Sequence, residues 1–231
     1  GINVDEVDEL IVSNALGAGG NPARLIALSS NLPEKVAGLS IDRQCVGGLD
    51  AIMLGIKLVQ SGNANVVVAG GVESYSNRPI RLAQADDKIL VPYNTPEFTP
   101  NSNKETHLAE AAFKIAEKFG FTQKDQDMFA INSHAKALAA KKYLSDEIVK
   151  IGTEKISFDP YARNLSLKLC GRAPKLFGSI THANTAISAD AASFVVICKK
   201  FPKGEKALKL ISGTTVGTNP KLPGLATLDA I

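Results

Sequence analysis

The residue best placed for nucleophilic chemistry is a cysteine at the start of an apolar-periodic helix. In Ser40-Ile41-Asp42-Arg43-Gln44-Cys45-Val46-Gly47-Gly48-Leu49-Asp50-Ala51-Ile52, Cys45 stands between an apolar approach segment and that helix, and two glycines follow closely. Backbone N–H groups in a helix's first turn have no helical partner, and the positive end of the dipole points the same way. A thiolate is stabilised in such a place, and the thiolate is the nucleophilic form. The glycines leave room for a substrate to approach the backbone. Position alone does not decide the matter, because a free cysteine also serves as a small buried apolar residue.

The surrounding elements bear on that choice. Leu58 to Gly62 close the helix on a glycine stop. Asn65 to Ala69 is a short unbroken apolar run, as expected of a strand buried on both faces. Gly70-Gly71-Val72-Glu73-Ser74 reads as a turn at its carboxyl end. Cys45 and this turn then share one edge of a sheet, the edge at which open α/β sheets bind ligands. Upstream, Glu9 to Val12 and Val36 to Ile41 read as strands around a helix from Pro22 to about Ser30.

Beyond residue 74 the organisation changes. A loop rich in Pro, Asn and Thr (Val91 to Asn103) precedes two amphipathic helices, one from about Thr106 to Phe119 and one from Thr122 to about Lys142. Thr122 and Asp125 have the spacing of a capping box. Phe129, Ile131, Ala135, Leu138 and Ala139 mark the apolar face of the second helix. Strand-like runs return at Ala191 to Ile197 and Ala207 to Gly213. The fold class is therefore a layered α/β core, residues 1–74 and 189–231, with a mainly helical insertion at 75–188.

Composition excludes several functions. The 231 residues are 45% apolar and 21% charged, and 26 basic against 23 acidic residues leave +3. A nucleic-acid binder would show a concentrated basic stripe, and none is present. No apolar run reaches the ~18–20 residues of a membrane span, and no signal-peptide pattern opens the chain. Three cysteines without paired spacing suggest neither a disulfide framework nor a zinc site, so no metal is expected. A cytoplasmic, reducing location is expected.

Six segments in order resemble the thiolases, the acyltransferases that make or cleave 3-ketoacyl-CoA. Asn21-Pro22-Ala23-Arg24 resembles the family's N-P-A-R, and Arg43 to Leu49 its nucleophile motif. Val68 to Asn77 is similar to V-A-G-G-M-E-S-M-S-N, and Gln126 to His134 to Q-D-x-F-A-x-x-S-H. Asp146 to Val149 matches D-E-I-V, and Thr181, Asn184 and Asp190 echo T-A-x-N and D-G-A-A. The resemblance implies that Cys45 accepts an acyl group from CoA, that the insertion is a lid over the CoA tail, and that the parent forms homodimers or tetramers. It implies a CoA thioester as substrate and no further cofactor. Arg172 would lie near the nucleotide end. Ala186 stands where the family has a serine that bonds the pantetheine, and His182, in place of an alanine, would supply a compensating contact. His107 and Leu108 depart from the family's M-G-T-T, a segment that lines the acyl pocket. Glu73 reads as a structural carboxylate, capping a helix that begins beside it, and His134 as a surface or packing residue.

Three family motifs are missing: the G-H-P histidine, the C-x-G-G-G cysteine and the N-E-A-F asparagine. The chain is therefore expected to be an incomplete, inactive portion, with Pro223 to Ile231 resembling the hinge into a second half. Two rivals are a decarboxylating ketosynthase and a non-catalytic CoA-binding or interaction protein with this fold.

Overall fold

Residues 7–13 are apolar at four of seven positions, and the reason is that both faces of the strand they form are covered. In a computed structural model describing residues 2–85, 88–93, 96–97, 99–100, 107–151, 158–201, 204 and 206–231, strand β1 spans Glu9–Ser13. Leu10 and Val12 point to one side and Ile11 to the other, and all three are essentially inaccessible to water. Helix α1 (Pro22–Ser29) supplies Ala23 and Ala27 to the first side, and helix α2 (Gly47–Ser61) supplies Ala51 and Val59 to the second.

The sheet order explains why two helices lie on opposite faces. Strands β2 (Ala37–Ile41), β1, β3 (Val66–Glu73) and β8 (Ala191–Cys198) run in that order. β1 is parallel to both β2 and β3, whereas β8 runs antiparallel to β3. The chain moves from β1 out to β2 through α1, then back past β1 to β3 through α2. Right-handed crossovers made in opposite directions leave their helices on opposite faces. The parallel strands consequently end at one edge, with Ser13 beside Ile41 on one flank and Gly71 on the other.

Contacts divide the chain into two compact units: Gly1–Thr95 with Ser188–Gly213, and Pro96–Ile187 with Thr214–Ile231. The first also holds a hairpin of β4 (Arg81–Gln84) and β5 (Leu90–Tyr93). The second contains α3 (Leu108–Phe119), α4 (Gln123–Ala139), α5 (Lys141–Glu147), α6 (Leu167–Cys170), the β6–β7 hairpin (Lys175–Phe177 and Ile180–Thr181) and α7 (Ala226–Ala230). Gly120 ends α3 at φ 71°, a left-handed conformation that favours glycine. The Phe113 and Phe177 rings pack 5.6 Å apart and tie α3 to β6.

Three expectations about elements are corrected. Gly70 to Glu73 continue β3 rather than turn, because β8 pairs with it through Glu73. A Cβ on Gly70 would lie 2.0 Å from the Ser193 carbonyl oxygen, so the glycine marks a close approach of two strands. Ala207 to Gly213 form no strand, having no neighbouring strand to pair with among the described residues, and Leu208 and Ile211 are exposed. The long second helix breaks at Ala140, where α5 begins. Thr106, and part of the loop from Val91 to Asn103, lie outside the described residues.

Candidate functional site

Cys45 occupies a single 3-10 turn, Gln44–Val46, that leads directly into α2. Gln44 sits at φ 48°, with its N–H held by Asp42 Oδ1 at 2.7 Å. The thiol is exposed. Val46 is the N-cap of α2 and provides no side-chain cap, so the first N–H groups of the helix have no side-chain acceptor at that position. Gly47 and Gly48 bring this helix end down onto the strand edge. A Cβ on Gly47 would stand 2.0 Å from Ser13 Oγ, and one on Gly71 would stand 3.6 Å from Gly48 Cα. In the structure Gly47 admits the Ser13 side chain of β1, and Gly48 lies against Gly71 of β3.

Arg43 and Asp50 flank the turn and form an ion pair, Arg43 Nε donating to Asp50 Oδ2. The other loops at this edge are tied by polar bonds of their own. Glu73 accepts hydrogen bonds from Asn14 Nδ2 at 3.2 Å and from the N–H groups of Ala15 and Leu16. Asn14 Nδ2 also donates to the Val72 carbonyl at 2.8 Å, and Arg81 Nη2 to the Ala15 carbonyl at 2.7 Å. Glu73 thus clamps the loop after β1, which corrects the reading that it caps a helix; only a 3-10 turn, Tyr75–Asn77, follows it. Asp190 accepts from the Ser76 N–H at 2.8 Å and from its hydroxyl, joining the exit of β3 to the entry of β8. Those bonds hold the Asp190 carboxyl below the usual carboxylate range.

Arg172, His182 and Ala186 belong to the second unit, and all three are exposed. The hairpin brings the first two to one end: the His182 N–H donates to the Pro174 carbonyl at 3.1 Å, two residues beyond Arg172. Ala186 lies four residues further along a segment without regular structure. His107 is the N-cap of α3, its Nδ1 accepting from the Ala109 N–H at 3.3 Å. His134 is half-buried, and its Nδ1 accepts from the Arg163 N–H. All three histidines therefore fall in the second unit, so the unit that carries Cys45 contains no imidazole.

The chain's sequence pattern did not single out Asp127. Its carboxylate is 4% exposed and accepts from Asn184 Nδ2 at 3.0 Å and Gln123 Nε2 at 3.5 Å. Asn184 in turn accepts from the Thr181 N–H at 2.8 Å and donates to the Ser179 carbonyl at 3.1 Å. This knot fixes the turn that carries His182. Its signal was present as a polar residue in each of two motif segments, Gln126 to His134 and Thr181 to Asn184, but spacing along the chain cannot pair them. Nearby chemistry is structural as well. Cys170 is fully buried and burial pushes its thiol up, which disfavours a nucleophilic role. Among the described residues no group of three or more His, Cys, Asp and Glu could hold a metal ion, and no helix is long and apolar enough to cross a membrane.

Comparison with known proteins agrees with this architecture. The family described as thiolase, N-terminal domain, matches residues 1–200. An acetyl-CoA acetyltransferase from Allochromatium vinosum is 29% identical, the match covering 100% of this chain and 65% of that protein. The crystal structure of the Bacillus anthracis acetyl-CoA acetyltransferase superimposes with a TM-score of 0.83 at 28% identity, covering 99% of this chain and 65% of its own. A thiolase from Ascaris suum, solved in complex with coenzyme A, gives a TM-score of 0.75 at 26% identity, with 86% and 55% covered. The chain spans 62% to 65% of the length of such curated relatives. With the family match extending over most of its length, the chain belongs to the thiolase family.

Proposed function

We propose that this chain carries the acyl-accepting half of a thiolase-type acyl-CoA acyltransferase, with Cys45 as nucleophile. The supporting observation is the placement of an exposed thiol on a turn that enters a helix without a side-chain cap, at the carboxyl edge of parallel strands. The Cys45 sulfur attacks the thioester carbonyl carbon of acyl-CoA; the carbon–sulfur bond to CoA breaks, and CoA leaves as a thiol. The resulting acyl-cysteine passes its acyl group to a second acceptor. In condensation that acceptor is the α-carbon of another acyl-CoA, which gives up a proton. In cleavage the acyl-cysteine forms instead by attack of sulfur on the 3-keto carbonyl carbon. The bond from that carbon to the α-carbon breaks, the α-carbon takes up a proton and leaves as an acyl-CoA, and the acceptor is the thiol of free CoA.

Arg172, His182 and the segment through Ala186 contact the CoA moiety in this reading, and no cofactor beyond the thioester takes part. The parent acts as a homodimer or tetramer in a reducing cytoplasmic compartment. In the thiolases that the sequence resembles, proton transfer relies on a G-H-P histidine and a C-x-G-G-G cysteine, and the 231 residues contain neither motif. A missing general base or oxyanion donor costs about 10²–10⁴-fold in rate. The 231-residue chain alone is thus inactive in turnover.

The test is to incubate the full-length parent with acetyl-CoA and map the modified peptide by mass spectrometry. One acetyl group on Cys45, lost in Cys45→Ser, is expected. An unmodified Cys45 alongside measurable CoA binding would instead support the non-catalytic reading. Thiolytic turnover by the isolated chain that survives Cys45→Ser would overturn both the assignment of the nucleophile and the inactivity of the portion.

A further inference from the structure

The Arg43–Asp50 pair straddles the candidate nucleophile, and its two members have opposite consequences for charge on sulfur. Asp50 lies in the first turn of α2, where a carboxylate is favoured by the helix dipole. Negative charge developing on the Cys45 sulfur during acyl transfer would draw on the same first-turn N–H groups and the same dipole. An unneutralised Asp50 would therefore both compete for that field and repel the charge from within about one and a half helical turns. Arg43 precedes the turn in sequence, Asp50 follows it, and the Arg43 Nε donates to Asp50 Oδ2. The other carboxylates at this edge are already engaged: Asp42 with the Gln44 N–H, and Glu73 with residues 14–16.

We propose that Arg43 is a positioning residue for the acyl-transfer chemistry, neutralising Asp50 so that the N-terminal end of α2 can serve the Cys45 sulfur. Asp50 in turn holds the guanidinium against the helix. The Asp50 side chain is 16% exposed and that of Arg43 60%, so the guanidinium reaches in from solvent to a largely covered carboxylate. This inference rests on Cys45 being the nucleophile, but its test does not require acyl transfer.

The probe is iodoacetamide, with the rate of carbamidomethylation at the Cys45 peptide followed by mass spectrometry at fixed pH and low salt. Cys170 and Cys198, buried and half-buried, are read separately as internal controls. Arg43→Ala is expected to slow alkylation of Cys45 about 3- to 10-fold, the range for loss of a nearby partly exposed charge. Arg43→Lys restores the rate to within about twofold, because the charge is kept. The deciding variant is Arg43→Ala combined with Asp50→Asn. If Arg43 acts by neutralising Asp50, removing both recovers most of the lost rate. If the double variant is as slow as Arg43→Ala, or if Arg43→Ala matches the wild type, the proposal is overturned. Thermal melts of each variant establish that slow alkylation is not unfolding. Normal behaviour of this series together with no acetyl adduct from acetyl-CoA would leave the electrostatic assignment standing and remove the acyltransferase reading.

Discussion

The two units of this chain are held by different kinds of contact. In the first, shape does the work: glycines let backbone meet backbone, and alternating apolar residues fill both sides of the sheet. In the second, a buried carboxylate and two amides join a helix to a hairpin turn. The difference teaches where a sequence can be read directly. Apolar alternation and paired glycines are local patterns, whereas a polar knot between Asp127 and Asn184 joins residues far apart in the chain.

Gly70→Ala is the severest way to test the first half of that contrast. The new Cβ would meet the Ser193 carbonyl oxygen and Phe194, both fixed by the β3–β8 ladder. Backbone cannot give way as a flexible side chain can, so the loss should be about 3 kcal/mol, at the upper end for overpacking. A denaturant titration checks this, and the midpoint should fall without a matching change in slope. A loss below about 0.5 kcal/mol, the ordinary range for surface changes, would show that the close approach is relaxed in solution.

Much of the first unit was legible for this reason. Strands β1 and β2, helices α1 and α2 and the glycine stop at Gly62 follow from apolar runs and punctuation residues. The shared edge of the Cys45 turn and the end of β3 follows from strand–helix alternation. Misreadings came where one pattern has two physical causes. Gly70-Gly71 suggests a turn, yet glycine also serves where strands crowd. Ala207 to Gly213 has strand composition, but a strand needs a partner to pair its backbone. Phe129 was expected on the buried face of α4 and is 79% exposed, while Asp127 two residues earlier is buried. Helical spacing chooses a face only when apolar residues alone decide burial, and here a hydrogen-bonded carboxylate takes the inner position. Glu73 was legible as structural, but its donors on residues 14–16 depend on the sheet bringing two loops together.

Asp127→Ala probes the second half of the contrast. It removes a buried acceptor and leaves Asn184 Nδ2 and Gln123 Nε2 with one partner fewer. Unmade bonds of that kind cost about 1–3 kcal/mol. Asp127→Asn should recover part of this, since its amide oxygen can still accept from Asn184. The effect should be confined to the second unit, so hydrogen exchange ought to quicken around Thr181 to Asn184 and stay unchanged in β1. Equal acceleration in both units would break the contrast.

The smallest effect expected belongs to Asp8, a polar tie inside the unit governed by shape. Its carboxylate accepts from the N–H groups of Asn65, at 2.6 Å, and Val66, at 3.1 Å, at the entry to β3. Those two bonds hold its carboxyl below the usual range, with burial opposing them. Because the folded-state value is depressed, the stabilisation is fully present above the unfolded value near pH ~3.9 and is lost as pH falls through the lower folded value. Glu9, pushed up by burial, works in the other direction, so wild type must be compared with Asp8→Asn at each pH. The variant should melt about 1–2 °C lower at pH 7, a modest shift because Asp8 is exposed and one amide oxygen can still accept a bond. Below about pH 3.5 the two melting curves should converge, since the wild-type carboxyl is then being protonated too. A gap that stayed constant down to pH 2 would mean that Asp8 contributes through its shape and not its charge, which would extend the character of the first unit even to its polar contacts.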